Sequence, residues 1–262
     1  MENTPTSCWQ DLDVALIAGL DRVLLYGQPG TGDRVLLYGQ PGTGKTHYAL
    51  NNHLATPSNP MRQAYRLLCS PDMTKGDIEG LWRPSASEWS YIDSPCLLAW
   101  KTGGRLILDE LDQAGGDALT GLLAIVDSSG STVMTHPATN EEIRPIDGFQ
   151  VIATTNATRL QDLPSALLDR FPVRININRA NPIALEQIEN TQLRNVADAW
   201  IANPSMRVSL RTFFAFQKAR LSMPLPTAAR LIFPDYSEQI IEAVSLSAIV
   251  EGGESGLERV LS

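Results

Sequence analysis

The chain has 262 residues, 43% of them hydrophobic, which fits one large domain or a main domain with a small appendage and is ample for a buried core. Its formal net charge of −8 argues against a nucleic-acid binder that works by phosphate neutralisation, and equally against an anionic membrane surface. Three scattered cysteines without metal spacing, a polar start (MENTPTSCWQD) and no apolar run near the ~18 residues of a membrane span lead to the expectation of a cytoplasmic protein with reduced thiols.

In chain order, residues 10–20 (QDLDVALIAGL) carry apolar positions at mixed helical spacing and predict a short helix. Residues 21–32 and 33–44 then repeat the same twelve residues, DRVLLYGQPGTG, a unit too short and too few in number for a solenoid. Strand-like apolar runs follow at 34–39, 64–69, 105–110, 150–156 and 173–178, with helical patterns between them at 45–54, 94–103, 116–127 and 164–171. Several of these strands are apolar on both faces, as in a parallel sheet covered by helices, so the alternation predicts an α/β fold. Asn181 suits an N-cap and Pro182 a first helical turn. Beyond them only helical periodicity is present, at 183–203, 210–221 and 238–250. The expected organisation is an N-terminal helical segment (1–20), an αβα core (21–180, with the duplicate 21–32 as an insertion) and a helical appendage (181–262).

The second copy of the repeat runs on into Lys-Thr and completes GQPGTGKT, the phosphate-loop pattern G-x-x-x-x-G-K-[ST]. In that pattern the backbone of Gly39, Gln40, Pro41, Gly42, Thr43 and Gly44 curls so that N–H groups face phosphate oxygens. Lys45 reaches the β- and γ-phosphates of ATP, and the Thr46 hydroxyl ligates Mg²⁺. The first copy meets Asp33-Arg34 where Lys-Thr belongs, so a carboxylate would repel phosphate and no hydroxyl serves the metal. Copy two is therefore expected to be the working loop and to own the central strand slot. Copy one is expected outside the core, as an irregular loop or a peripheral strand.

GGRLILDEL (103–111) is an apolar strand ending in two carboxylates. Asp109 is placed to hold the Mg²⁺ shell, and Glu110 to polarise the attacking water. FQVIATTN (149–156) is a second buried strand with a polar tip, where Asn156 is either a turn former or a group that orients the water or meets the γ-phosphate. LPSALLDRF (163–171) ends a short helix in Asp-Arg-Phe, and Arg170 taken alone is a solvated or ion-paired arginine as readily as a functional one.

Taken as an ordered set, the phosphate loop at 39–46, LILDE at 106–110, IATTN at 152–156 and LLDRF at 167–171 resemble an AAA+ ATPase over about residues 20–235. The nearer resemblance is to the MoxR-type branch, in particular small CbbQ/NorQ-like members, carried by AWKTGGRLILDELDQA and GFQVIATTNATRLQDLPSALLDRF. The resemblance implies a P-loop NTPase core with a C-terminal helical lid. It implies Asn156 as sensor 1 and Arg170 as an arginine finger serving a neighbouring subunit, with Arg174 as the alternative. A ring homo-oligomer, expected to be a hexamer, is implied with it. VSLRT (208–212) resembles the sensor-2 segment and puts Arg211 on the nucleotide in cis, with Arg230 in TAARL a weaker candidate. Residues 76–93, with Trp82 and Trp89, and the hairpin-like 128–148 match insertions that face the pore or a partner in such proteins; local packing of the tryptophans is the alternative. The implied activity is Mg²⁺-dependent ATP hydrolysis that remodels or activates a protein client, with a von Willebrand factor A-domain partner on a separate polypeptide. An ATP-binding scaffold with little turnover, or a DNA-linked McrB-like motor, are the competing classes, the latter disfavoured by the acidic charge.

Overall fold

The computed structural model describes residues 7–18, 34–51, 63–85, 87–127, 133–157, 159–203, 205–206 and 208–246. The first copy of the repeat, 21–32, lies outside the described residues. The chain divides into two compact units, Met1–Gly39 with Lys45–Ile177, and Gln40–Gly44 with Asn178–Ser262.

The first unit is built on five parallel strands, β1 (Arg34–Tyr38), β2 (Ala64–Leu68), β5 (Arg105–Asp109), β8 (Gln150–Thr154) and β9 (Val173–Asn176), in the order β2-β5-β8-β1-β9. The strand of copy two thus sits inside the sheet, paired on both sides, Leu36 opposite Ala153 on β8 and Arg174 on β9. The three inner strands are apolar on both faces because both faces are covered. Val35, Leu37, Ile107 and Ile152 point to one layer, with Trp9, Leu12, Tyr48 and Ala49 of α1 (Cys8–Ala18) and α2 (Lys45–Asn51). Leu36, Leu106, Leu108, Val151 and Ala153 alternate to the other, under α4 (Pro95–Thr102), α5 (Gly116–Ile125) and α6 (Ser165–Arg170). The period-2 alternation splits one hydrophobic strand between two cores. β2 and β9 lie at the edges and depart from the both-faces-apolar expectation: Leu68 is 53% exposed, and β9 has no fully buried residue.

Local sequence sets the helix ends. The Ser94 hydroxyl accepts the Leu97 N–H, Pro95 occupies the first turn, and Gly103 at φ 64° closes α4 in the left-handed conformation. The segment 76–93 contains the end of a one-turn helix, α3 (Lys75–Glu79), and an antiparallel hairpin, β3 (Gly80–Pro84) with β4 (Trp89–Asp93). Trp82 packs edge to face on Tyr91 and is half exposed, while Trp89 is more exposed still. The second expected hairpin is present as the short pair β6 (Met134–Thr135) and β7 (Glu142–Ile143). His136 beside it lies 2.8 Å from Asp93 on β4 through Nε2, while its Nδ1 accepts the N–H groups of Ala138 and Thr139.

The second unit is helical. The single helix expected over 183–203 is two, α7 (Pro182–Glu186) and α8 (Thr191–Ala202). The Asn190 side chain caps the second by accepting the Leu193 N–H, which restarts the helix after a turn. α9 (Leu210–Ala219) falls where expected, and residues 237–246 are helical. α10 (Leu225–Ile232) was not expected: Pro224 and Pro226 suit a turn as well as a first helical turn, and the helix they open is only eight residues long. Phe213, Phe216 and Phe233 with Trp200 form the aromatic centre of this unit's core. Among the described residues no helix is long and apolar enough to cross a membrane.

Candidate functional site

β1 ends at Tyr38 and Gly39 follows at φ 131°. A Cβ there would lie 2.4 Å from the Ile177 carbonyl oxygen, so both the dihedral and the close approach demand glycine. The Gly39 N–H donates to the Ala157 carbonyl at 3.0 Å, which ties the start of the loop to the residues after β8. Lys45 opens α2, and its ammonium, nearly buried, donates to the Gly39 carbonyl at 3.0 Å. Gln40 to Gly44 belong to the second unit, where the Thr43 carbonyl accepts the Asn181 N–H and the Gly42 carbonyl accepts the Leu210 N–H. Gly42, at φ 76°, would put a Cβ 2.1 Å from that of Ser209. Arg211 is the next residue of α9 and is exposed, as is Arg230 in the last turn of α10.

In the first unit the acidic tip of β5 is held from two neighbouring strands and a helix. Asp109 is almost fully buried. Its Oδ1 accepts the hydroxyls of Thr46 at 2.7 Å and Thr154 at 2.6 Å, and its Oδ2 accepts Nε of Arg66 on β2 at 3.1 Å together with Nη2. Burial by itself would raise the Asp109 carboxyl, but the bonds from Thr154, Thr46 and Arg66 and the Arg66 charge overcome it and hold it below its ordinary value. Asp109 is therefore ionised at neutral pH. Glu110 follows in the left-handed region at φ 57°, ψ 45°, a conformation that costs a non-glycine residue about 1–2 kcal/mol. Its N–H donates to the Thr154 hydroxyl at 3.1 Å, and its carboxylate accepts Nδ2 of Asn156 at 3.4 Å. The turn directs Glu110 away from the buried strand axis, and Asn156 holds its side chain.

Thr46, Asp109, Glu110 and Asn156, spread over more than 100 positions, are thus joined within one unit through Thr154 and one another, while the neighbouring Lys45 bonds the Gly39 carbonyl. Arg170, by contrast, donates to the carbonyls of Leu123 and Ala166 and lies 3.6 Å from Asp127 at the end of α5. Arg174 donates to the Phe171 and Leu168 carbonyls. Neither arginine contacts the Asp109–Glu110 pair. Two residues of the cluster were not singled out from sequence, Arg66 and Thr154. Their signals are a lone cation in an otherwise apolar strand (AYRLL), which forms no motif, and the first hydroxyl of IATTN, a segment read for Asn156 and not for Thr154.

The residues fit Mg²⁺ in the manner of a shared phosphate site. Thr46 gives its proton to Asp109, which leaves its oxygen lone pairs for a cation. Among the described residues no group of three or more His, Cys, Asp or Glu is assembled to hold a metal, so a hydroxyl, one carboxylate and substrate phosphates are the available donor set. Cys69, beside this cluster, is a buried free thiol pushed up to about 12 by burial and by the charges of Asp109, Asp112 and Glu110, so it is inert.

Comparison with known proteins places residues 34–171, just over half of the chain, in the family model of the AAA domain, dynein-related subfamily. An uncharacterized protein of Staphylococcus saprophyticus is 32% identical over 125 residues, 45% of this chain and 46% of that one. An uncharacterized protein of Staphylococcus aureus is 32% identical over 108 residues, 40% of this chain and 37% of the other. The chain thus spans less than half the length of these curated relatives. A solved structure of a provisionally assigned ATPase from Cytophaga hutchinsonii aligns with a TM-score of 0.48 at 16% identity, over 97% of this chain and 80% of that one.

Proposed function

The chain belongs to the AAA domain family of the dynein-related subfamily, and from that membership we propose that it is an ATPase of the MoxR-type branch, CbbQ/NorQ-like, that spends ATP hydrolysis on remodelling or activating a protein client. The observation that carries the reading is the bonded set Thr46–Asp109–Thr154–Glu110–Asn156, a phosphate-loop hydroxyl joined to two carboxylates and an amide.

In this reading the backbone of Gly39 to Gly44 and the Lys45 ammonium hold the ATP phosphates. Lys45 gives up the Gly39 carbonyl for a phosphate oxygen, exchanging one charge-assisted bond for a stronger one. Thr46 and Asp109 would hold Mg²⁺, which when bound neutralises charge on the phosphate oxygens. Glu110 accepts a proton from the attacking water, and Asn156 fixes the carboxylate that does so. Arg211 meets the nucleotide in cis as sensor 2. Arg170 acts on the ATP of a neighbouring subunit in a ring, proposed as a hexamer. Its 3.6 Å contact with Asp127 joins two partly exposed groups and is worth little, so releasing it costs little. A separate von Willebrand factor A-domain protein is the proposed partner, and the exposed Trp82 and Trp89 of the β3–β4 hairpin are the proposed contact with partner or client.

The test is turnover of ATP by the full chain with and without Mg²⁺. Glu110→Gln should retain ATP binding and lose turnover by about 10²- to 10⁴-fold, the usual range for removing a general base. Wild-type turnover in that variant would remove Glu110 from the chemistry, and tight ATP binding by wild type without turnover would favour a scaffold.

A further inference from the structure

The two carboxylates at the end of β5 are adjacent in sequence, yet their tasks in an ATPase differ, and something must set the second relative to the first. Thr154 is 2% exposed at the last position of β8. Among the described residues it is the one whose side chain bonds both. Its hydroxyl donates to Asp109 Oδ1 at 2.6 Å and accepts the Glu110 N–H at 3.1 Å. A hydroxyl has one proton and two lone pairs, and a carboxylate only accepts. The proton is therefore committed to Asp109, and a lone pair faces Glu110. The polarity of the chain of bonds, Glu110 N–H to Thr154 O–H to Asp109, has no alternative arrangement.

That bond falls on a backbone position that needs support. Glu110 occupies the left-handed region, which a β-carbon disfavours, and such outliers persist only where the surroundings over-determine them. The Gln113 N–H donates to the Glu110 carbonyl at 2.8 Å and fixes the far side of the turn. The near side is the bond to Thr154. As a β-branched residue in a strand, Thr154 is itself stiff about χ1, so its oxygen is a fixed point.

We propose that Thr154 is a positioning residue whose hydroxyl sets the left-handed turn at Glu110 and so aims the Glu110 carboxylate. The consequence for catalysis rests on the ATPase reading; the consequence for the turn does not. Thr154→Val keeps the shape, takes the acceptor from the part-buried Glu110 N–H and removes one donor from the buried Asp109 carboxylate. Thr154→Ser restores the hydroxyl.

The experiment compares wild type, Thr154→Val and Thr154→Ser as full chains by two readouts. Steady-state ATP hydrolysis should show kcat lowered about ten- to hundredfold in the valine variant, the scale of one hydrogen bond lost beside a charged group. KM for ATP should change little, and serine should recover most of the loss. Hydrogen exchange of the peptide covering 108–114 should be faster in the valine variant than in wild type and normal in the serine variant. Unchanged exchange in Thr154→Val, or failure of serine to restore it, overturns the proposal. A kcat loss matched by an equal rise in KM overturns its catalytic part. Altered exchange in a chain whose wild type does not turn over ATP would sink the ATPase reading and leave the positioning role standing. Should the valine variant not fold, Thr154→Ala is read by the same two measures.

Discussion

The bond between Arg66 and Asp109 should be worth about 2 kcal/mol to the first unit, measurable by a double-mutant cycle with Arg66→Met and Asp109→Asn. Two unit charges about 4 Å apart attract by about 4 kcal/mol at an effective dielectric constant of about 20. The Asp109 side chain is 5% exposed but that of Arg66 is 45% exposed, so water screens one partner. Ordering the arginine costs a further ~1.5 kcal/mol, which leaves about 2 kcal/mol, inside the range for hydrogen bonds to charged groups. Methionine keeps the apolar stem of Arg66, and asparagine keeps an acceptor for Thr46 and Thr154. The pH dependence has a definite sign. The Asp109 carboxyl is lowered from 3.8 in the folded chain, so the unfolded chain binds more protons in that window. The coupling is therefore fully present above about pH 4 and fades as pH falls through the lower folded value. Urea unfolding followed by tryptophan fluorescence reads it in a Trp200→Phe background, where the four remaining tryptophans, 9, 82, 89 and 100, all belong to the first unit. A coupling below about 0.5 kcal/mol at pH 7, or one that persists undiminished in acid, would mean that the two side chains are not an energetic pair, since about 0.5 kcal/mol is the limit of additivity for independent sites.

Gly39→Ala should weaken ATP binding and lower stability by about 3 kcal/mol, because a Cβ would meet the Ile177 carbonyl oxygen at 2.4 Å in a backbone region closed to L-residues. Equilibrium unfolding and nucleotide titration check it, and a variant with wild-type values in both would show that the loop relaxes freely. Deleting residues 21–32 should keep or raise both ATPase activity and the thermal midpoint, since the second copy already fills the inner strand position between β8 and β9. Loss of both would show the first copy to be built into the fold.

Much of this protein was legible in one dimension. Which copy of the repeat continues into Lys45-Thr46, and which meets Asp33, is decided by two residues, and β1 follows the choice because the loop is covalently continuous with its strand. The both-faces-apolar runs of β1, β5 and β8 announced buried parallel strands, and Asp109 and Glu110 were visible as a charged end to one of them. Local capping chemistry was legible too where a side chain serves its own neighbourhood, as with Asn181 and Pro182. Where local signals were ambiguous the reading failed: the paired prolines that open the short α10 suit a turn equally well, and the turn before Asn190 interrupts a helix without changing its composition.

Pairing between distant strands left no trace in the spacing. Arg66 lies 43 residues before Asp109 and Thr154 lies 45 after it, and only the order β2-β5-β8 sets them on either side of the same carboxylate. Nothing in AYRLL distinguishes Arg66 from an ordinary edge-strand cation, and IATTN pointed to Asn156 rather than to Thr154. Which loop can hold phosphate follows from the order of residues alone, because that chemistry depends on residues in unbroken succession. The tertiary structure alone decided how Asp109 is neutralised and how Glu110 is aimed, because a buried carboxylate takes its partners from whichever strands hydrogen bonding places beside it.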